Sequence, residues 1–235
     1  MNLLDLRTAI KDKKGTTPFV RQNEKRSIPG YYEKNISDYC YLTSTQPIYL
    51  ELRSFDDEPW YLRDYMSWGI GSPNAYHIVC SVQFRKVLER LALPEHRFYD
   101  AEISIKNRSK HSYYVLHFLQ DWTKELDYSQ SVFQIVDLME RKKVVKVLAA
   151  GEISSVDKYN EINELLVSAY QYLYPLRMVF RKGIYYDVWG LHGHIVMSER
   201  AKQLIEQEQI TGVAFPDIRE TKPFENLDVI MEKNA

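Results

Sequence analysis

Short runs of β-branched and aromatic residues, broken by turn-formers, set the pattern of this chain. "YCYLT" and "IYLELRSF" near its start, then "AEISIKN", "YYVLHFL", "SVFQIVDL" and "KVVKVLAA", read as strands of a half-buried sheet. The last four are joined by short polar links, too short for parallel crossovers, which predicts a meander of antiparallel pairs. A different period follows. Val156, Tyr159, Ile162, Leu165, Leu166, Ala169, Tyr170 and Leu173 form one apolar stripe at helical spacing, which predicts a helix capped by Ser154 or Ser155 and stopped at Pro175. "LRMVFRKG" and "YYDVWG" are the next strands, with "LHGH" as a turn, and the final 15 residues read as an acidic tail or a closing strand around "LDVIM". A short helix is expected near Leu3–Ile10, and "WYLRDYMSWGIGSP" reads as a loop.

One pattern occurs twice. "HIVCSVQFRKVLERLALPEHRFYD" begins at His77 and "HIVMSERAKQLIEQEQITGVAFPD" at His194, in ungapped register. His77, Ile78, Val79, Ser81, Glu89, Phe98 and Asp100 recur as His194, Ile195, Val196, Ser198, Glu206, Phe215 and Asp217. Each copy, 77–100 and 194–217, reads as strand, helix, strand, with Ser81 and Ser198 as N-caps whose hydroxyls accept from first-turn amides. Together these patterns predict an α+β fold: a central, mostly antiparallel sheet with three main helices, two of them inside the repeat. The expected organisation is a basic N-terminal extension over 1–30 and a single domain over 31–235.

Composition narrows the function classes. The 235 residues include 31 Lys and Arg against 32 acids, so the whole-chain balance directs the protein to neither nucleic acid nor an anionic membrane. No apolar run approaches a membrane span and no signal-like segment opens the chain, and only two cysteines occur; the expected compartment is the cytoplasm. Eighteen Tyr and four Trp supply large amphipathic contact area of the kind enriched at interfaces. "SFDDEPWYLRDYMSW" concentrates Asp56, Asp57, Glu58 and Asp64 beside Trp60, Tyr61, Tyr65 and Trp68, and is the candidate partner-binding loop.

Candidate chemistry is sparse. No phosphate loop, nucleophile elbow or zinc-protease motif occurs, and no catalytic residue, metal site or cofactor is expected. His192 and His194 sit on one side of a strand but lack a local third ligand, and His194 repeats His77, which favours a structural role. Cys40 and Cys80 each lie in a β-type run, where a buried inert thiol is expected.

Residues 185–218, "YYDVWGLHGHIVMSERAKQLIEQEQITGVAFPDI", resemble the C-terminal signature of the eleventh numbered immunity-protein family of bacterial polymorphic toxin systems. The matching features are Asp187 before a hydrophobic pair, the strand-to-helix passage with Ser198 and Arg200, and the closing run with Gly212 and Phe215. With His77, Ser81, Phe98 and His194, these residues are expected to be architectural. The resemblance implies a protein, not an enzyme, that neutralises a cognate toxin domain encoded by the adjacent gene, by occluding its active site or substrate entrance. The alternatives are an enzyme that reverses a toxin product, which would place a histidine beside a carboxylate in a deep pocket, and a nucleic-acid-binding or scaffold protein using the basic arm.

Overall fold

A computed structural model describes residues 3–8, 11–12, 15–16, 19–23, 47–53, 61–68, 77–105, 109–140 and 142–232. Its strands begin with β1 (Leu3–Asp5), β2 (Arg7–Thr8), β3 (Lys11–Asp12), β4 (Gly15–Thr16), β5 (Phe19–Gln22), β6 (Ile48–Arg53), β7 (Tyr65–Trp68) and β8 (His77–Cys80). Helix α1 (Val82–Leu88), β9 (His96–Ile105), β10 (Ser109–Phe118), β11 (Val132–Asp137), β12 (Lys143–Leu148), α2 (Val156–Val167) and β13 (Gln171–Val179) follow. The rest are β14 (Val188–Leu191), β15 (His194–Ser198), α3 (Glu199–Gln207), β16 (Val213–Ala214) and β17 (Asp228–Ile230). The class is α+β, with three α-helices among the described residues and mostly antiparallel pairing.

The chain divides into two compact units. The larger, residues 4–120 and 187–216, contains a closed six-stranded barrel in the order β10-β8-β7-β5-β6-β9, and a three-stranded sheet, β1-β15-β14. Strand alternation sorts its side chains into two cores. Val20, Leu50, Met66, Val79, Ala101 and Val115 fill one, the barrel's. The next positions along the same strands, Ile78, Cys80 and Leu116, join Phe84 and Leu88 of α1 and Ile195, Met197, Ala201 and Ile205 of the second copy in the other. Both repeat helices therefore share one core.

The smaller unit, residues 1–3, 121–186 and 217–235, holds the four-stranded sheet β12-β11-β13-β17. Two of the tyrosines build an aromatic core inside it: Tyr128 stacks on Phe133 at 5.9 Å, and Tyr159 of α2 meets both Phe133 and Trp122.

Several expectations are corrected. Leu3–Asp5 is a strand rather than part of a helix, and β5, inside the expected extension, is a barrel strand. The meander splits, because β9 pairs β10 in the barrel while β11 pairs β12 in the other unit. Helix α2 takes Ser155 as its cap but stops at Val167, not at Pro175. Tyr170 turns to φ 55°, and Pro175 sits inside β13 at a register shift opposite Phe133, a bulge being one place where a strand tolerates the missing N–H. "YMSW" is strand β7, not loop.

Candidate functional site

The repeat copies are joined by two reciprocal aspartate clamps. In the second copy, the Ser198 hydroxyl caps α3 by accepting from Ala201 N at 3.1 Å and donates to Asp187 Oδ1 at 2.7 Å. Ser198 N donates to the Asp187 carbonyl at 2.8 Å, and Asp187 Oδ2 accepts from Ala92 N, just past the end of α1, at 2.9 Å. Arg200 completes the clamp: its Nη1 pairs with the Asp187 carboxylate and its Nη2 reaches the Arg90 carbonyl at 3.3 Å.

The first copy repeats this with exchanged roles. Ser81 caps α1 by accepting from Phe84 N at 3.1 Å, and donates to Asp64 Oδ1 at 2.6 Å. Ser81 N donates to the Asp64 carbonyl at 2.8 Å. Asp64 Oδ2 accepts from Thr211 N at 2.9 Å and Thr211 Oγ1 at 2.7 Å, beyond the end of α3. Gln83, the counterpart of Arg200, donates to the Glu208 carbonyl at 2.8 Å. Each acid thus holds the start of its own helix and the chain leaving the other helix. Carboxylates accepting several amide and hydroxyl donors form the stronger class of hydrogen bond, which suits them to this joint.

The remaining residues with expected architectural roles lie in and around these clamps and the shared core. Asp187 is fully buried, Ser198 is 2% exposed, and Gly212 has φ +84°. A Cβ on Gly212 would lie 2.5 Å from the Tyr65 carbonyl oxygen, so the residue is fixed by conformation and by contact. Phe98 and Phe215 pack against the shared core, and Arg85 lies over the Phe98 ring at 4.8 Å. His77 is buried and directly opposite His117 in register, with Val79 and Val115 two positions along. His194 directs Nδ1 at Asp5 Oδ2, 2.9 Å away, an oxygen that also accepts from Arg7 Nε at 2.6 Å.

A cavity of 550 Å³, open to solvent, adjoins the first clamp. It is lined by Leu62, Arg63, Asp64, Gln83 and Tyr113, and by Gln207–Gln209 with Thr211. Arg63 is buried; its Nη1 donates to the Tyr61 carbonyl at 3.0 Å and its guanidinium lies 5.8 Å from the Tyr61 ring. Burial first, then the charge of Asp64, push the Tyr113 phenol upward, and the phenol donates to the Arg63 carbonyl at 2.7 Å.

Of the candidate partner-binding residues, the described side chains are those of Tyr61, Asp64 and Tyr65. Asp56, Asp57, Glu58 and Trp60 lie outside the described residues, and of Trp68 only its place in β7 is described. Tyr61 is exposed, Tyr65 is turned into the shared core, and Asp64 is spent on the clamp. Sequence reasoning missed that Asp64 is the counterpart of Asp187. The signal was available, since both precede a strand pair ending in the cap serine, but the separation is 17 residues in one copy and 11 in the other.

A different surface is apolar. In the smaller unit, Leu165, Val167 and Tyr170 at the end of α2 are 70%, 44% and 61% exposed. Leu138 N donates to the Tyr170 carbonyl at 3.1 Å, bringing up the β11–β12 turn with Met139, 72% exposed. On the neighbouring edge strand β12, Val144 and Val147 are also exposed.

Among the described residues, no three His, Cys, Asp or Glu side chains gather as a metal-holding group, and no helix is long and apolar enough to cross a membrane. No protein-family model matches the chain, and no curated protein matches it.

Proposed function

We propose that this protein binds another protein, and that its partner is a cognate toxin domain whose active site or substrate entrance it covers. The observation that carries this reading is the exposure of large apolar side chains at Leu138, Met139, Leu165, Val167 and Tyr170, on two segments of the smaller unit that the Leu138 N to Tyr170 carbonyl bond brings together. Contiguous exposed apolar surface with a polar rim marks interaction sites, and large flexible and aromatic side chains such as Met and Tyr are the residue types enriched there. Glu140 and Lys143, in and just after the β11–β12 turn, form an exposed ion pair. The toxin as partner rests on the resemblance of residues 185–218 to an immunity family; on that reading the protein acts in the cytoplasm beside the gene product it restrains.

The test is co-expression with the toxin domain encoded next to its gene. Growth should be rescued and a complex should elute together on a sizing column. Met139→Asp with Leu165→Asp should abolish both while leaving thermal stability unchanged. If neither rescue nor complex is seen with the unaltered protein, the reading fails.

A second reading, an enzyme acting on a toxin product, is favoured by one contact, the His194–Asp5 pair, because a carboxylate at Nδ1 orients an imidazole for proton transfer. His194→Gln separates the two: loss of protection with complex formation intact supports the enzyme, and retained protection excludes His194 as its base.

A further inference from the structure

The two clamps differ at two points: Asp64 Oδ2 accepts from the Thr211 hydroxyl where Asp187 Oδ2 accepts from Arg200 Nη1, and Gln83 stands where the second copy has Arg200. Gln83 and Arg200 each stand two residues after their cap serine. Arg200 places a guanidinium between the Asp187 carboxylate and the Arg90 carbonyl at the end of α1. Gln83 makes only the carbonyl contact, to Glu208 at the end of α3. Beside Asp64, where the second copy has a guanidinium, the first has the cavity bounded by Asp64, Gln83, Gln207–Gln209 and Thr211.

We infer that this cavity binds a guanidinium supplied from outside the chain, an arginine side chain of a protein partner, in the manner that Arg200 occupies the second clamp. Three features favour a cation. Asp64 is an anion whose side-chain hydrogen bonds come from the uncharged donors Ser81 and Thr211. The C-terminal end of α3 contributes carbonyl oxygens and the negative end of its dipole. Three glutamine side chains offer further amide oxygens around the opening. Among the described residues lining the cavity the cation is Arg63, which directs Nη1 at the Tyr61 carbonyl and lies against the Tyr61 ring. Arg90 Nη1 pairs with the carboxylate of the lining Glu208. A planar guanidinium spanning carboxylate and carbonyl is the geometry in which arginine and lysine are not interchangeable. That the arginine belongs to a protein rests on the proposed function; the guanidinium specificity does not.

The test titrates the full chain with N-acetyl-L-arginine amide, its uncharged isostere N-acetyl-L-citrulline amide, N-acetyl-L-glutamate amide and free L-arginine, followed by NMR. The blocked arginine should shift the Thr211 amide and the Gln83 side-chain amide, with citrulline at least about tenfold weaker, the loss expected when a charged hydrogen-bond partner is replaced by a neutral one. Gln83→Arg should fill the cavity with the chain's own guanidinium, raising Tm and abolishing the response. Asp64→Asn should weaken binding; if that variant does not fold, Gln83→Arg decides alone. Equal binding of citrulline, binding of the glutamate probe instead, no shift at Thr211 and Gln83, or an unchanged response in Gln83→Arg overturns the inference. Binding of free arginine without the blocked form overturns the protein source. Because none of these measurements involves a toxin, their failure is distinct from failure of the co-expression test.

Discussion

Ser198 and Asp187 are bonded twice, hydroxyl to carboxylate at 2.7 Å and amide to carbonyl at 2.8 Å, so that the residue capping α3 is itself held by a fully buried acid. The acid's other oxygen is held by Ala92 and Arg200, and removing the carboxylate strands a cap hydroxyl, an amide and a guanidinium together. Asp187→Ala should lower unfolding free energy by about 3–5 kcal/mol, since the buried donors left without an acceptor cost about 1–3 kcal/mol each. Arg200→Ala, whose side chain is 51% exposed, should cost only on the order of 1 kcal/mol. Urea unfolding followed by circular dichroism gives both numbers, and equal losses would contradict the ranking.

Gly212→Ala confronts a positive φ and a carbonyl oxygen 2.5 Å from the new methyl group. Because the clashing atom is backbone of β7, relief requires moving the strand or the α3–β16 connection. The variant should be destabilised by roughly 2 kcal/mol or more, since a strained conformation adds to the clash. Gly193, also at positive φ but with open space around its Cβ position, should lose less on the same change in the same assay.

Cys80 is buried in the shared core, and burial pushes its thiol upward, away from the reactive thiolate. In the native protein it should resist iodoacetamide at pH 8 and become labelled when denaturant is added. Peptide mass spectrometry reads the site directly; rapid native labelling of Cys80 would show the core to be open.

His192 occupies the two-residue turn between β14 and β15 with φ 44°. Burial, and secondarily the neighbouring His194, lower its pKa from 6.5 to about 3. A folded pKa below the unfolded one means that the unfolded chain takes up the proton first. The stability tied to the neutral ring is therefore fully present above pH 6.5 and is lost as pH falls toward 3. The His192 ring should remain neutral at pH 5 by NMR, and His192→Gln should flatten the decline of stability across that interval.

The repeat was legible because cap serine, apolar helix positions and closing aromatic recur without a gap, and structure places Ser81 and Ser198 in the same role. Its larger extent was not. Asp64 and Asp187 fall out of register by the six extra residues between Asp64 and Ser81, and no periodicity reveals that a carboxylate will reach across to the other helix's end. The aromatic stretch misled for a related reason: Tyr65 looks like a surface anchor in isolation, yet alternation along β7 turns it into the core. The helical spacing runs past the end of α2 because Ala169 and Tyr170 of the following turn and Leu173 of β13 happen to continue it. Tyr170 and Leu165, both on that apolar stripe, are among the most exposed large side chains of the smaller unit.

The exchange between the clamps also bears on ancestry. A chain carrying one copy alone would have an acid reaching for a helix end it lacks and a helix end awaiting an acid from elsewhere. Two identical chains related by a two-fold axis satisfy both at once, in the self-complementary manner of an isologous dimer. Gene fusion of such a pair would free each half to diverge. Positions 83 and 200 are one place where two such halves would have diverged, a neutral amide in one and a guanidinium in the other.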